Sequence, residues 1–196
     1  MKSIFSLPEW QQAILSGVLL GIAFQPWHLG WLAWIGFLPL FHIWLHGNVK
    51  DNFIFGCLFG LTQNFIAVYW IGFNSGASVG VVLLSLVAAV IYLALFWGLV
   101  GLIIGFLPNK SQWGIVLLPF LIVTMEWVRS FGPLGFPWIN LALTQSEYIF
   151  LIQIGEITGP YGISFWIIAI NTLIYLGIIR ENMLRETMIA VLVLLL

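Results

Sequence analysis

The sequence predicts an all-α fold: a polytopic bundle of transmembrane helices with six full spans, the start of a seventh, and a partly membrane-embedded extracytoplasmic loop. Three observations lead to this prediction. Hydrophobic residues make up 62% of the 196-residue chain and charged residues only 7%, whereas about a quarter of the residues in a soluble domain are charged. The mean hydropathy is +1.10. Eleven tryptophans and a 16% aromatic content are typical of the aromatic belts at membrane interfaces.

The composition also excludes several kinds of function. Six basic residues stand against seven acidic ones, so the net charge of -1 provides no basic surface for the phosphates of a nucleic acid. The single cysteine excludes an intrachain disulfide framework and a cysteine-based metal site. The three histidines lack a compact spacing with carboxylates, so we expect no metal and no other cofactor.

Charges, prolines and polar clusters delimit the spans, because a helix needs about 20 apolar residues to cross the hydrocarbon core. Six complete spans are predicted at residues 10–24, 29–45, 53–73, 79–106, 113–128 and 163–179. An apolar stretch at residues 188–196 begins a seventh, although a short interfacial or buried helix is the alternative there. We therefore expect residues 1–196 to form an N-terminal transmembrane domain that is truncated within its seventh helix.

Basic residues in the connecting loops predict the orientation, because such residues are retained on the cytoplasmic side. Five of the six basic residues fall in loops on one side of the predicted membrane: Lys2, Lys50, Lys110, Arg180 and Arg185. The loops at residues 25–30 and 74–78, on the other side, carry no charge. We expect a cytoplasmic N-terminus and an extracytoplasmic continuation after Leu196.

The segment between the fifth and sixth spans departs from a plain hydrophobic bundle. Glu126 and Arg129 are three residues apart at the predicted end of a helix, where they can pair and so reduce the cost of charge in the membrane. Two interpretations remain open: a polar anchor that shapes a lipid-facing cavity, or a structural ion pair that closes the helix end.

Residues 129–162 are predicted to form a partly embedded cap on the extracytoplasmic face. Glycines and prolines at positions 132, 133, 135 and 137 break any helix, yet the neighbouring residues are apolar. Irregular backbone at membrane depth is tolerated only where protein buries it or water lines it. A re-entrant or interfacial loop is therefore expected.

Small residues within the spans have a packing interpretation. Glycines at a spacing of four occur at positions 17 and 21, 56 and 60, and 101 and 105, and such pairs let helix backbones approach closely. Cys57 lies inside the third span with no basic residue closer than Lys50, so it is interpreted as a core residue and not as a nucleophile. His42 and His46 are interpreted as polar residues at the interface.

Four motifs, in order, give the chain a resemblance to a known family. They are Glu-Trp-Val-Arg at 126–129, Gly-Phe-Pro-Trp at 135–138, Thr-Gln at 144–145 and Gly-Pro-Tyr-Gly-Ile-Ser-Phe at 159–165. The stretch Gly-Ile-Ala-Phe-Gln-Pro-Trp at 21–27, followed by Leu-Pro-Leu at 38–40, is similar too. With these motifs the chain resembles the apolipoprotein N-acyltransferases of the bacterial inner membrane. It departs from them at Ala142 and Leu143, where members often have a glycine and an aromatic residue.

The resemblance implies an acyl-transfer reaction. Members of that family move an acyl chain from a phospholipid onto a cysteine as a thioester, and then onto the α-amino group of a diacylglyceryl-cysteine at a lipoprotein N-terminus. Their Glu, Lys and Cys triad lies in an extracytoplasmic nitrilase-like domain, which residues 1–196 do not contain. We therefore expect no catalytic residue in this chain, Cys57 included, and no activity from these 196 residues alone.

What this region contributes, on the same resemblance, is the positioning of lipids and the anchoring of the catalytic domain. The candidate residues are Glu126, Arg129, Phe136, Pro137, Trp138 and Gln145. The first two are expected to fix the cap, and Phe136, Pro137 and Trp138 to line a lipid entrance. The expected partners are a phospholipid acyl donor, a diacylated lipoprotein acceptor and the membrane itself.

Two other functions are kept as alternatives. A small-molecule transporter predicts ionisable residues near span centres or internal repeats with matched helix breaks, and neither pattern is evident. A structural membrane subunit predicts no lipid-dependent chemistry and tolerance to changes in the Gly-Phe-Pro-Trp loop.

Overall fold

The computed structural model of the protein describes residues 2–108, 110 and 113–179. Over those residues the fold is all-α, as predicted, and contains no strand. The α-helices are α1 (Glu9–Ala23), α2 (Leu38–His46), α3 (Val49–Val68), α4 (Val79–Phe106), α5 (Trp113–Arg129), α6 (Ile149–Ile152) and α7 (Gly155–Ile179). Short 3-10 helices lie at Lys2–Ser6, Gly30–Trp34, Tyr69–Phe73, Pro137–Ile139 and Leu141–Gln145. The predicted seventh stretch, Arg180 and Arg185 lie outside the described residues.

Among the described residues, three segments are long and apolar enough to cross a membrane: Val49–Phe73, Val79–Phe106 and Gly155–Ile179. They correspond to the third, fourth and sixth predicted spans. The helices α1 and α5 have 15 and 17 residues, which is short of a full crossing, so their spanning stays a prediction.

The second predicted span, residues 29–45, is not one continuous helix. The chain there forms the Gly30–Trp34 3-10 helix, a break, and then the nine-residue α2. Pro39 lies in the first turn of α2, where its missing N–H group costs no helical hydrogen bond. Apolar composition predicted a span here, but a proline at this position favours a new helix start over continuation from Trp34.

Buried side chains satisfy the backbone at this break. The Asn171 side chain, on α7, donates to the Ala33 carbonyl at 2.8 Å and accepts from the Phe37 amide at 3.1 Å. The Ser16 hydroxyl, on α1, donates to the Gly36 carbonyl at 2.5 Å. Both side chains are fully buried. Because unpaired backbone groups are costly in an apolar interior, these bonds allow irregular backbone inside the bundle.

Glycines bring α3 and α4 into close contact along half of their length. We name the glycines at positions 56, 60, 98, 101 and 105 the glycine seam. A Cβ atom on Gly60 would lie 2.7 Å from the Ala94 Cα, and one on Gly101 would lie 2.3 Å from the Asn52 carbonyl oxygen. Small residues therefore permit this contact, as their spacing predicts. Cys57 also faces the seam, with its Sγ 2.4 Å from the position of a Cβ on Gly98.

The two ends of the bundle differ in charge. At one end lie the cap segment and the loop after α1; we call this the cap end. The opposite end carries Lys50 and Lys110, and the Lys110 ammonium group donates to the Gly47 carbonyl at the end of α2. The N-terminal 3-10 helix is also at this opposite end, where Phe5 stacks on His42 with ring centroids 4.5 Å apart.

The last described helix bends near its start. Gly159 has φ 65° and ψ −174°, a conformation that favours glycine, and Pro160 follows it. The straight part of α7 therefore begins close to the predicted start of the sixth span at residue 163. The preceding turn belongs to the cap.

The seam gives a first testable prediction. Gly101→Ala places a methyl group against the Asn52 carbonyl and the Trp44 indole nitrogen, and we expect it to lower the free energy of unfolding by about 1–3 kcal/mol. Gly80→Ala is the matched control, because a Cβ at that α4 position meets nothing within 4 Å. Thermal unfolding of both variants in detergent measures the difference. Equal melting temperatures would contradict close packing at the seam.

Candidate functional site

The charged residues at the end of α5 hold the start of the cap. Glu126 is fully buried and its Oε1 accepts a hydrogen bond from the Leu141 amide at 2.7 Å. Arg129 is 1% exposed, and its Nη2 donates to the Ile139 carbonyl and to the Asn140 Oδ1, each at 3.3 Å. We call Glu126 and Arg129 the clasp, because both form hydrogen bonds with the short turn at residues 139–141.

The structure corrects the expected pairing of these two residues. In the described part of the chain, Glu126 and Arg129 form no direct salt bridge, although each lies within the electrostatic field of the other. The reason is geometric: one oxygen of the carboxylate and one nitrogen of the guanidinium are directed to the backbone of the cap. Glu126 Oε2 and Arg129 Nε and Nη1 have no hydrogen-bond partner among the described residues.

A third side chain completes the attachment of this turn. Ser164, on α7, is fully buried and its hydroxyl oxygen accepts from the Ala142 amide at 3.2 Å. Together with the clasp, it pairs the Ile139 carbonyl and the Leu141 and Ala142 amides, which lie at the junction of two short 3-10 helices. The cap is therefore fixed to both α5 and α7.

Gln145 ties the cap to the other half of the bundle. Its Nε2 donates to the Gly30 carbonyl and to the Thr144 hydroxyl, both at 2.8 Å, and its Oε1 accepts from the Trp34 indole at 3.0 Å. The backbones meet closely at this point, since a Cβ on Gly30 would lie 1.9 Å from the Thr144 carbonyl oxygen. Gln145 is fully buried, so the structure places it inside the protein and away from bulk lipid.

The Gly-Phe-Pro-Trp loop lies at the surface of the cap. The Phe136 amide donates to the Arg129 carbonyl at 2.9 Å, so the loop starts where the clasp ends. Pro137 is exposed, Trp138 is 62% exposed and Phe136 is half-buried. The Trp138 ring lies 5.0 Å from that of Phe136 and 6.3 Å from that of Trp70, which follows α3.

An apolar groove of about 690 Å³ opens between α3 and α4 at the cap end. Its described lining consists of Gln25, Trp27, Phe65, Ile66, Tyr69, Gly72, Phe73, Leu83 and Leu86. Polar groups contribute little to this surface: the Gln25 amide, for example, donates to the Ile66 carbonyl at 2.7 Å. The volume lies within the range of about 300–1,000 Å³ that ligand sites occupy.

The groove lies beyond the end of the glycine seam. The seam joins the halves of α3 and α4 nearest the opposite end, whereas toward the cap the two helices meet through larger side chains such as Val68, Leu86 and Val90. Beyond Val68 the chain continues as a 3-10 helix, so that Tyr69 and Phe73 project beside the groove. Apart from Gln25 and Trp27, its described lining belongs to the segments Val49–Phe73 and Val79–Phe106, which are long and apolar enough to cross a membrane.

The groove was not predicted from the sequence. None of the six candidate residues is in its described lining. Trp138 comes near it, because its ring lies beside that of Trp70, the neighbour of the lining residue Tyr69. The available signal was the aromatic cluster at the end of the third span, where Tyr69, Trp70 and Phe73 follow one another closely. Ser164 was likewise missed as a cap ligand, since a single serine in an apolar helix carries no distinctive pattern.

A second set of contacts links the cap to the loop after α1. The Tyr148 hydroxyl donates to the His28 carbonyl at 2.7 Å, and the His28 ring lies 3.1 Å from the Glu147 carboxylate. His28 has a positive φ of 56°, which is uncommon for a residue with a side chain. The loop next to Trp27, and thus one wall of the groove, is held by the cap.

The histidines and the cysteine away from the cap lie in local contacts within the described part of the chain. Three or more His, Cys, Asp or Glu residues do not cluster there in a way that could hold a metal ion. His42 contacts the Tyr175 hydroxyl at 3.2 Å, and the ring of His46 bonds the His42 carbonyl at 2.9 Å. Cys57 packs in the glycine seam, away from the cap.

Comparison with known proteins identifies relatives of one kind. The family model for the apolipoprotein N-acyltransferase N-terminal domain matches residues 16–173. Among curated proteins, the apolipoprotein N-acyltransferase of Geobacter metallireducens is 33% identical over 182 residues, which cover 91% of this chain and 35% of that protein. The protein of the same name from Methylococcus capsulatus is 32% identical over 172 residues, which cover 81% of this chain and 32% of that protein. The chain thus spans about a third of the length of these relatives.

A double-mutant cycle on the clasp tests its role in stability. Glu126→Leu leaves the Arg129 guanidinium buried without its countercharge, and we expect a loss of about 3–5 kcal/mol in the free energy of unfolding. Adding Arg129→Met should recover part of that loss, because the unpaired charge is then removed. Glu156→Leu, at an exposed position in the first turn of α7, is the control. Strictly additive effects in thermal unfolding would show that the two residues act independently.

Proposed function

The chain belongs to the apolipoprotein N-acyltransferase N-terminal domain family, and on this basis we propose that it is the membrane region of an apolipoprotein N-acyltransferase. The complete enzyme would transfer an acyl chain from a phospholipid to the N-terminal amine of a diacylglyceryl-cysteine lipoprotein. Its location would be the bacterial inner membrane, with the cap end on the extracytoplasmic side. This region would position the lipids and anchor the catalytic domain.

The groove between α3 and α4 is the observation that carries the proposal. Its lining is almost entirely apolar and most of it belongs to segments able to cross a membrane, which supports lipids as the molecules that would reach it sideways. Apolar side chains next to the groove, such as Leu84 and Val87, are exposed and continue the lipid-facing surface of α4. An acyl chain would pass from the bilayer into the groove without meeting water.

The cap then sets where the headgroup end of that lipid lies. The clasp and Gln145 hold the cap rigidly on the bundle, and Trp138 meets Trp70 beside the groove. In the proposed function Glu126, Arg129 and Gln145 act as positioning residues, and Phe136, Pro137 and Trp138 border the entrance. Holding a lipid ester at one place raises its effective concentration for a reacting group above the cap.

The acyl-transfer chemistry is proposed to reside outside these residues. A nucleophilic thiol requires a nearby base and partial exposure, and Cys57 packs against Gly98 within the seam. We therefore propose that the thioester forms on a cysteine of an extracytoplasmic domain that the cap supports.

Filling the groove tests this proposal. Leu83→Trp enlarges a half-exposed residue that lines the groove, and we expect acyl transfer to a diacylated lipopeptide to fall by at least about tenfold, equivalent to the loss of about 1.4 kcal/mol of binding. Leu84→Trp, on the next residue and facing lipid, is the matched control and should retain activity. The assay uses the complete native polypeptide in phospholipid vesicles. Equal activity of the two variants would argue against lipid entry here.

The loop residue Trp138 gives a second test. Trp138→Ala removes the contact with Trp70, and we expect slower acyl transfer at unchanged expression and melting temperature, because this side chain is mostly exposed. The control is Trp113→Ala at the far end of α5, which is exposed to a similar extent. If Trp138→Ala had full activity, Trp138 would not border the entrance.

A further inference from the structure

One polar side chain of the groove has a hydrogen-bonding atom that the protein leaves unused. Gln25 lines the groove and is only 7% exposed. Its Nε2 donates to the Ile66 carbonyl at 2.7 Å, and because a carbonyl only accepts, this bond fixes which end of the amide is nitrogen. Its Oε1 accepts no hydrogen bond from the described residues, yet it is not sealed inside the protein. The groove therefore presents a fixed acceptor that a ligand can reach.

The surroundings of this acceptor favour a ligand that donates a hydrogen bond. The helix α1 has 15 residues and is about 22 Å long, which is shorter than the hydrocarbon core of about 30 Å. A helix that starts at the cytoplasmic boundary thus ends inside the core, so on the predicted topology Gln25 lies just below the extracytoplasmic boundary, where water is scarce. Other lining residues, such as Phe65 and Leu86, are apolar. An acceptor without a partner is unfavourable in such a place, and a donor on the ligand removes that cost.

The lining also restricts the kind of donor. Its described residues carry no formal charge, so an ammonium group at Gln25 would lie in an apolar groove without a carboxylate. A neutral donor such as a hydroxyl or an amide N–H fits better. An intact phospholipid offers only ester oxygens at the level of its glycerol, and these accept hydrogen bonds as Oε1 does. A lysophospholipid carries a hydroxyl on the same glycerol as its remaining ester, so it can donate to Oε1 while its acyl chain lies against the apolar lining.

We propose that Gln25 binds the lysophospholipid that remains after acyl transfer, by accepting a hydrogen bond from the glycerol hydroxyl that the reaction frees. This inference rests on the proposed function and adds a product site to it. In the thioester-forming step, the thiol sulfur bonds the acyl carbon, the carbon–oxygen ester bond breaks, and the thiol proton ends on the glycerol oxygen. The donor that pairs with Gln25 is therefore present in the product and missing from the substrate.

Two matched variants and two matched lipids isolate this hydrogen bond. Gln25→Met removes Oε1 and keeps the length of the side chain, but it also removes the bond to Ile66. The control is Gln12→Met, at a second glutamine of α1 that is 2% exposed, donates from Nε2 to the Leu7 carbonyl at 2.8 Å and is outside the described lining. The lipids are a lysophospholipid and its deoxy analogue, in which hydrogen replaces the glycerol hydroxyl. Loss of the Ile66 bond affects both lipids alike, whereas only the lysophospholipid donates to Oε1.

The experiment measures competition in phosphatidylcholine vesicles that contain the complete native polypeptide. The probe is lysophosphatidylethanolamine with a diazirine on its acyl chain, and crosslinked residues are mapped by mass spectrometry. We expect the probe to label Phe65, Ile66, Leu83 and Leu86. Unlabelled lysophosphatidylethanolamine should displace it about fivefold better than the deoxy analogue, as one neutral hydrogen bond predicts. That preference should disappear in Gln25→Met and persist in Gln12→Met.

The possible outcomes separate this inference from the proposed function. A labelled groove with equal competition by the two lipids overturns the product site and leaves lipid entry intact; this comparison uses the native protein, so it decides even where Gln25→Met does not fold. A preference that persists in Gln25→Met, or stronger competition by an N-acylated lipopeptide through its amide N–H, also overturns the product site. A groove labelled no more strongly than the exposed residues Leu84 and Val87 overturns both proposals. A preference for the hydroxyl that is lost only in Gln25→Met supports the inference.

Discussion

Every backbone amide and carbonyl inside the hydrocarbon region needs a hydrogen-bond partner within the protein, and the architecture of this chain depends on how that requirement is met where helices stop. At the break before α2 the partners are Asn171 and Ser16. At the start of the cap they are Glu126, Arg129 and Ser164. In both places a polar side chain that is expensive to bury replaces several missing backbone bonds, which explains why it is found in an otherwise apolar bundle.

The position of the groove depends on how α3 packs against α4 and on how the cap is attached. Glycines allow the backbones of α3 and α4 to touch along one half, and toward the cap the two helices meet through larger side chains such as Val68 and Leu86. A rigid attachment of the cap then fixes one side of the opening, since the clasp and Gln145 connect the cap to α5 and to the Gly30–Trp34 helix. The opening lies beyond the end of the glycine seam, at the cap end of α3 and α4.

The sequence was sufficient for the helical class, for the bounds of α4 and for the glycine contacts, because these depend on local composition and spacing. It also identified Glu126 and Arg129, since charges are conspicuous among apolar residues. It did not reveal their partners, because backbone groups of residues 139–141 carry no signature of their own. Nor did it reveal the groove: Phe65 and Leu83 are as apolar as any residue that faces lipid. The break within residues 29–45 was missed for a related reason, as its compensation comes from Asn171 in a distant helix.

That distance has a consequence for how the protein is made. Asn171 is separated by 138 residues from Ala33 and by 134 from Phe37, the two residues whose backbone it satisfies. The broken segment is therefore synthesised long before α7 exists. Until α7 arrives, the exposed amide and carbonyl need water or the insertion machinery as temporary partners. The N-terminal half of the bundle can reach its final packing only after the last described helix has been translated and inserted.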